Sequence, residues 1–176
     1  MLKKMIVTLF VILSSLGAKD LSLERTIEDI YHTLKSKKEL LFNTKYINNK
    51  TGVYLIYRLG MCDRVEHLDK VSLTPKSELT FLSIQNTITT IPKGIKYKKI
   101  TYSCDKEAWS DDGYFIYKVN KIDLLSNAQN YKKNTLLEKD LYYFIDTIND
   151  TSFYLKEIDG LWYILLLDEV SGDCGA

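Results

Sequence analysis

The sequence predicts an α+β domain, with an N-terminal amphipathic helix packed on a curved, mostly antiparallel sheet that ends in a β-meander. Three observations carry this expectation. Leu23, Ile27, Ile30, Tyr31, Leu34 and Leu41 recur near a 3.6-residue period. From Gly52 onward, runs rich in β-branched and aromatic residues alternate with short polar breaks. Near the C-terminus Asp159-Gly160 separates Phe153–Ile158 from Leu161–Asp168. Asp-Gly accepts the positive φ angles that a tight type I′ hairpin turn requires.

The elements follow in order. Lys3 and Lys4 precede an apolar run, Met5 to Leu13, broken only by Thr8, and small residues Ser14, Ser15, Gly17 and Ala18 follow. This is the pattern of a secretory signal peptide over residues 1–18, cleaved after Ala18 or, as the alternative, after Gly17. A membrane anchor needs about 20 apolar residues, and this run stops well short, at Lys19 and Asp20. No Cys closes the apolar run, which argues against lipoprotein processing. Residues 19–176 then suit a single domain.

Ser22 caps the expected helix, which runs to about Leu41. Glu24, Glu28 and Asp29 lie toward its positive end, and Lys35, Lys37 and Lys38 toward its negative end. Residues 41–47 read as a second short helix or an irregular connection. Asn48 to Gly52 is a turn. Val53–Arg58 is a strand ended by Gly60, and Val65–Val71 is ambiguous. Glu78–Ile84, Ile95–Cys104 and Tyr114–Val119 read as strands, and residues 121–139 are expected to contain a helix. For 141–147 the β preference of Tyr142-Tyr143-Phe144-Ile145 favours a strand over a competing helical spacing. Added to the Asp-Gly hairpin, it completes the meander. No linker and no internal repeat stand out.

Composition excludes several function classes. The expected signal takes two lysines and no acid from a chain with 24 basic and 23 acidic residues. The remainder has one acid in excess, which argues against a nucleic-acid partner, because such a surface needs clustered positive charge. Lys93–Lys99 is the one basic patch and reads as a solvated strand face. No later segment is long and apolar enough to span a membrane.

An oxidising compartment favours pairing among Cys62, Cys104 and Cys174. Cys104–Cys174 is the expected disulfide, because Cys174 lies in a polar tail with little reason to be ordered unless tied down. Closing that loop stabilises by roughly 4–5 kcal/mol in the chain-entropy model. Cys62 is then a free thiol, expected to be buried. Cys62–Cys104 is the alternative pairing. No CxxC occurs, so a thioredoxin-like site is not expected.

Candidate chemistry is sparse. His32 lies off the apolar stripe of the helix and reads as a surface residue. His67 sits among Asp63, Glu66 and Asp69, and is the one candidate general base, with Asp63 or Asp69 to orient it. On a strand, Asp63, His67 and Asp69 share a face and Glu66 points away. At a rise of roughly 3.3 Å per residue, Asp63 and His67 stand about 13 Å apart, too far to share a metal. No hydrolase, zinc, Walker or dinucleotide motif is present. Neither a metal nor a cofactor is therefore expected. Asp111-Asp112-Gly113 lacks the remaining ligand spacing of a calcium loop. Asn49-Lys50-Thr51 and Asn149-Asp150-Thr151 match the glycosylation acceptor.

Thirteen Tyr and two Trp are many for this length. Tyr102, Trp109, Tyr114, Tyr117 and Trp162, with Tyr142 and Tyr154, could stack on a sugar, peptide or lipid. The competing expectation is that they pack the sheet and its helix.

The hairpin Asp159-Gly160-Leu161-Trp162-Tyr163, preceded by a helix and then a sheet over roughly 22–170, resembles the nuclear-transport-factor-like cone fold. Many of those domains close on a short turn followed by a Trp-Tyr pair. Gly52–Arg58, Thr101–Cys104 and Ser171–Cys174 are similar to segments of a group of exported bacterial proteins. The resemblance implies export and a concave sheet face, but no activity. Catalytic cone-fold members place Asp and His inside the pocket, and no such pair is matched here.

Three functions are carried forward. The first is a non-enzymatic periplasmic or secreted domain that binds a small ligand or a protein at an aromatic-lined sheet face. The second is a hydrolase or isomerase using His67 with Asp63 or Asp69. The third is an envelope-associated or host-directed interaction protein using a sheet edge.

Overall fold

A computed structural model describes residues 21–73, 88–172 and Cys174. The expected signal peptide and the expected strand Glu78–Ile84 lie outside the described residues. The described chain is α+β, with helix α1 (Leu21–Lys35), helix α2 (Glu39–Tyr46) and nine strands. They are β1 (Val53–Leu59), β2 (Cys62–Leu68), β3 (Lys96–Tyr97), β4 (Tyr102–Ser103), β5 (Ala108–Trp109), β6 (Tyr114–Val119), β7 (Leu141–Asp146), β8 (Thr151–Ile158) and β9 (Leu161–Asp168).

The helical periodicity expected from Ser22 to Leu41 is interrupted. Lys37 takes a positive φ of 53°, and its neighbour's amide, Lys38 N, bonds back to Thr33 O at 3.2 Å. That left-handed residue with a six-residue back-bond ends the helix. The chain restarts as α2. Leu23, Ile27, Ile30, Tyr31 and Leu34 form the buried stripe of α1.

Seven strands form one sheet in the order β2-β1-β9-β8-β7-β6-β3. Neighbours are antiparallel except β1 beside β9 and β3 beside β6. β7, β8 and β9 form the meander. Asp159 and Gly160 both have positive φ, 53° and 77°, as the tight turn between β8 and β9 demands. Residues 121–139, expected to hold a helix, contain only the 3₁₀ turns Asp123–Ser126 and Thr135–Leu137. The expected strand Ile95–Cys104 is divided: Lys96–Tyr97 joins the large sheet, and Tyr102–Ser103 pairs with β5 in a separate two-stranded sheet.

Each face of the sheet has its own core. On one face α1 and α2 cover Val53, Leu55, Ile116, Phe144, Phe153, Leu155 and Ile164. On the other, the 3₁₀ segments cover Ile56, Phe115, Tyr143, Ile145, Tyr154 and Leu166. Each side chain so buried contributes roughly 1.5–3 kcal/mol. β7 and β9 run the same way, so both end at one margin of the sheet, on either side of the start of β8.

Candidate functional site

At that margin the chain makes the same turn twice. β7 ends in Asp146. Its Oδ1 accepts from the Ile148 and Asn149 amides, both at 2.9 Å. Its Oδ2 accepts from Tyr31 Oη at 2.7 Å and Asn149 Nδ2 at 2.5 Å. β9 ends in Asp168. Its Oδ1 accepts from the Val170 and Ser171 amides, both at 3.0 Å. Its Oδ2 accepts from Tyr143 Oη at 2.7 Å and Ser171 Oγ at 2.5 Å. Each carboxylate thus receives two backbone amides and two side-chain donors. Asp146 is 1% exposed and Asp168 6% exposed. A charge so buried is tolerable only when its acceptor sites are filled.

The two aspartates face opposite sides of the sheet. Asp146 meets Tyr31 of α1. Asp168 meets Tyr143, whose ring stacks on Tyr154 with centroids 4.1 Å apart. Burial, then the aspartate beside each, raises the Tyr31 and Tyr143 phenols well above their usual range. Burial also raises Tyr154, and pushes Tyr117 up to about 12.

Between the turns lies a cavity of about 250 Å³ lined by Asp146, Asp150, Asp168, Glu169, Gly172 and Trp109 among others. Asp146 and Asp168 have no acceptor capacity left for a ligand. Asp150 and Glu169 differ: both are exposed, and among the described residues no hydrogen bond or ion pair engages either carboxylate. Crowding by protein around the Glu169 carboxyl, then the neighbouring Asp168, push it up to about 7. The residue keeps an exposed surface, so water screens part of that push.

Trp109 closes the cavity from the small sheet. Its ring meets Tyr102 edge-on at 5.4 Å, and the Ser110 amide bonds Thr101 O at 2.9 Å. Cys104, just after β4, is disulfide-bonded to Cys174, with Cα atoms 5.4 Å apart. The bridge ties this hairpin to the chain end that follows β9. Gly172 fits because a Cβ there would lie 3.3 Å from Asp150 Oδ1 and 3.8 Å from Trp109 Nε1.

The residues expected from sequence are spread over the molecule. Tyr114 is buried beside the helices and its hydroxyl lies 2.7 Å from Thr90 Oγ1. Trp162 is buried there too, donating to Ser22 Oγ at 3.1 Å. Tyr117 packs edge-on against Tyr143, on the opposite face. Of the five expected aromatics only Trp109 lines the cavity, with Tyr102 behind it. Alternation along β6 parts Tyr114 from Tyr117, which is why a single aromatic surface does not form.

His67 lies exposed on β2, its ring 4.7 Å from Tyr54 and its Nε2 2.8 Å from Thr51 O. Asp63 is held instead by Arg58 Nε at 2.7 Å, and among the described residues no hydrogen bond or ion pair joins His67 to Asp63 or Asp69. The imidazole closes over Gly52, where a Cβ would come within 2.7 Å of Nε2 and 2.5 Å of Leu68 O. That packing gives His67 a place in the turn before β1. Among the described residues no group of His, Cys, Asp and Glu could hold a metal ion. Cys62, expected to be buried, is exposed. Asn149, the first residue of the Asn149-Asp150-Thr151 acceptor match, is buried and bonded through both ends of its amide. Lys98 pairs with Asp111 at 3.0 Å, which accounts for part of the basic patch.

Sequence reasoning passes over Asp146, Asp150, Asp168, Glu169 and Gly172. A signal for them exists. Ile145-Asp146-Thr147-Ile148-Asn149 and Leu167-Asp168-Glu169-Val170-Ser171 share the order apolar, Asp, any residue, apolar, small donor. No known protein family, curated protein or solved structure matches this chain.

Proposed function

We propose that this chain is an exported, non-enzymatic binding domain, and that the cavity between the two aspartate turns takes a small cationic ligand bearing an ammonium or guanidinium group. The observation that carries the reading is one indole, Trp109, sharing a cavity with two carboxylates, Asp150 and Glu169, that the fold does not use. An indole face attracts a cation by about 0.5–2 kcal/mol, and a carboxylate gives a charge-assisted hydrogen bond. The cavity, at about 250 Å³, falls just below the usual range of roughly 300–1,000 Å³, so the ligand is of amino-acid side-chain size. The Cys104–Cys174 bridge supports export, since such bonds persist in oxidising compartments. No helix of the described residues is long and apolar enough to cross a membrane. The expected signal peptide over residues 1–18 belongs to this reading.

Calorimetric titration of the oxidised protein with arginine amide and with putrescine tests it, against acetamide as a neutral control. Saturable binding of at least one cation is expected. Trp109→Ala and Asp150→Asn should each weaken it about 10-fold, equivalent to about 1.4 kcal/mol. Failure of both cations to saturate, or equal binding of acetamide, overturns the proposal.

A further inference from the structure

We infer that Cys62 and the Cys104–Cys174 bridge together form a thiol–disulfide exchange centre, in which the bridge can move from Cys104 to Cys62. Two observations lead there, neither depending on the cationic-ligand reading. Cys62 is a free, exposed thiol. It also shares a cavity of about 330 Å³ with Cys174, one of the two bridged sulfurs, and Cys174 is itself exposed. A nucleophile and the bond it can attack therefore open onto the same solvent-filled space.

The surroundings leave room for the reaction. Cys62 opens β2 immediately after the two-residue corner Gly60-Met61. A Cβ on Gly60 would meet nothing within 4 Å, and Met61 is 89% exposed. Arg58 and Asp63 line the cavity and pair with each other at 2.7 Å.

The chemistry conserves electrons. The Cys62 thiolate attacks Sγ of Cys174, the Cys62–Cys174 bond forms, and the Cys104–Cys174 bond breaks. Cys104 leaves as a thiolate and takes a proton from water, restoring the one Cys62 gave up. One thiol and one disulfide enter, and one of each remains, so no external oxidant or reductant is consumed. Cys174 is the sulfur attacked because it, and not Cys104, lines the shared cavity. The exchange would leave the chain end tied to β2 and would free the β4–β5 hairpin.

Disulfide mapping of the oxidised full chain tests this. The protein is held in mildly alkaline buffer without reductant, quenched in acid, alkylated, digested and read by mass spectrometry. A Cys62–Cys174 peptide is expected to grow in step with alkylated Cys104, at a rate independent of protein concentration. Cys62→Ser should abolish both. A second variant, Cys104→Ser, is expected to form Cys62–Cys174 in glutathione disulfide and to lose both alkylatable thiols. Alkylation confined to Cys62 at every time point overturns the proposal. So does a Cys62 bridge found only between chains. If Cys104→Ser does not fold, the wild-type time course decides alone.

Discussion

The two aspartate turns use the same backbone device for different ends. The Asp146 turn is tied into the fold on every side. Tyr31 brings α1 to it, and Asn149 Oδ1 accepts from the Thr89 amide at 2.8 Å, the Thr89 hydroxyl at 3.0 Å and the Thr90 amide at 3.3 Å. Even the second residue is engaged: Thr147 Oγ1 accepts from the Gly113 amide at 2.8 Å. The Asp168 turn is tied through Tyr143, through Ser152, which donates to Asp168 O at 3.1 Å, and through the Glu169 amide, which donates to Ile56 O at 3.0 Å. Its second residue, Glu169, leaves its carboxylate to the cavity. One loop spends its second side chain on the fold, and the other, with the same geometry at its aspartate, leaves the Glu169 carboxylate outside the fold's own bonding.

The comparison breaks most sharply on an Asp→Asn exchange. An asparagine at either site places an NH₂ where Oδ2 now accepts. At 168 the two facing groups are hydroxyls, Tyr143 and Ser171, which rotate and accept. At 146 one facing group is the Asn149 NH₂, and three donors on its oxygen hold that amide in place. Two donors then oppose each other in a buried site. We expect Asp146→Asn to cost about 3 kcal/mol and Asp168→Asn about 1.5 kcal/mol. Urea denaturation monitored by circular dichroism measures both. Equal losses would show that the Asn149 amide is not fixed.

The next test removes the phenols. A buried hydrogen bond to a charged group contributes about 1.5–3 kcal/mol. Tyr31→Phe should cost about 2 kcal/mol, because that hydroxyl joins α1 to the sheet. Tyr143→Phe should cost about 1.5 kcal/mol, since its ring keeps its stack on Tyr154. Both phenols titrate well above their usual range in the fold, so the unfolded chain loses those protons first. Stability should therefore fall as pH rises above about 10. Each Phe variant should make that fall shallower. A melting temperature that stays level through alkaline pH would contradict the burial of both groups.

Much of the sheet was legible because its signals are local. The Asp159-Gly160 turn, the β-rich run of β6 and the stripe on α1 each depend on residues close in sequence. The Cys104–Cys174 bridge was legible for another reason: a polar tail holding a Cys needs a tether. The cavity was not legible, because its walls lie far apart in sequence. Trp109 comes from the small sheet, Asp150 from the turn after β7, and Glu169 from the turn after β9. The repeated turn was also hidden. Its shared pattern has only one invariant residue, Asp, and the partners that bury it, Tyr31 and Tyr143, lie outside the pattern. The helix boundary at Lys37 was missed because a lysine, not a glycine, takes the left-handed conformation there.

The smallest effect is expected at the second position of each turn. Thr147→Val leaves the Gly113 amide without its acceptor and should cost about 1 kcal/mol. Glu169→Gln should act with the opposite sign, and only at higher pH. The fold holds the Glu169 carboxyl up at about 7, so it favours the neutral form. Below the ordinary carboxylate pKa, near 4.5, both states are protonated and nothing is lost. Between there and about 7 the unfolded chain ionises first, and stability falls with rising pH. Glutamine removes that loss, so the variant should gain on wild type at pH 8 but not at pH 4. Solvent screening at an exposed residue keeps the gain below about 1 kcal/mol, or at most about 2–4 °C in melting temperature. The same substitution should weaken cation binding at pH 8 and change it little at pH 4, where wild-type Glu169 is already neutral. A Glu169→Gln protein more stable at pH 8 but unchanged in cation affinity would leave the strain of this turn intact and remove Glu169 from the site.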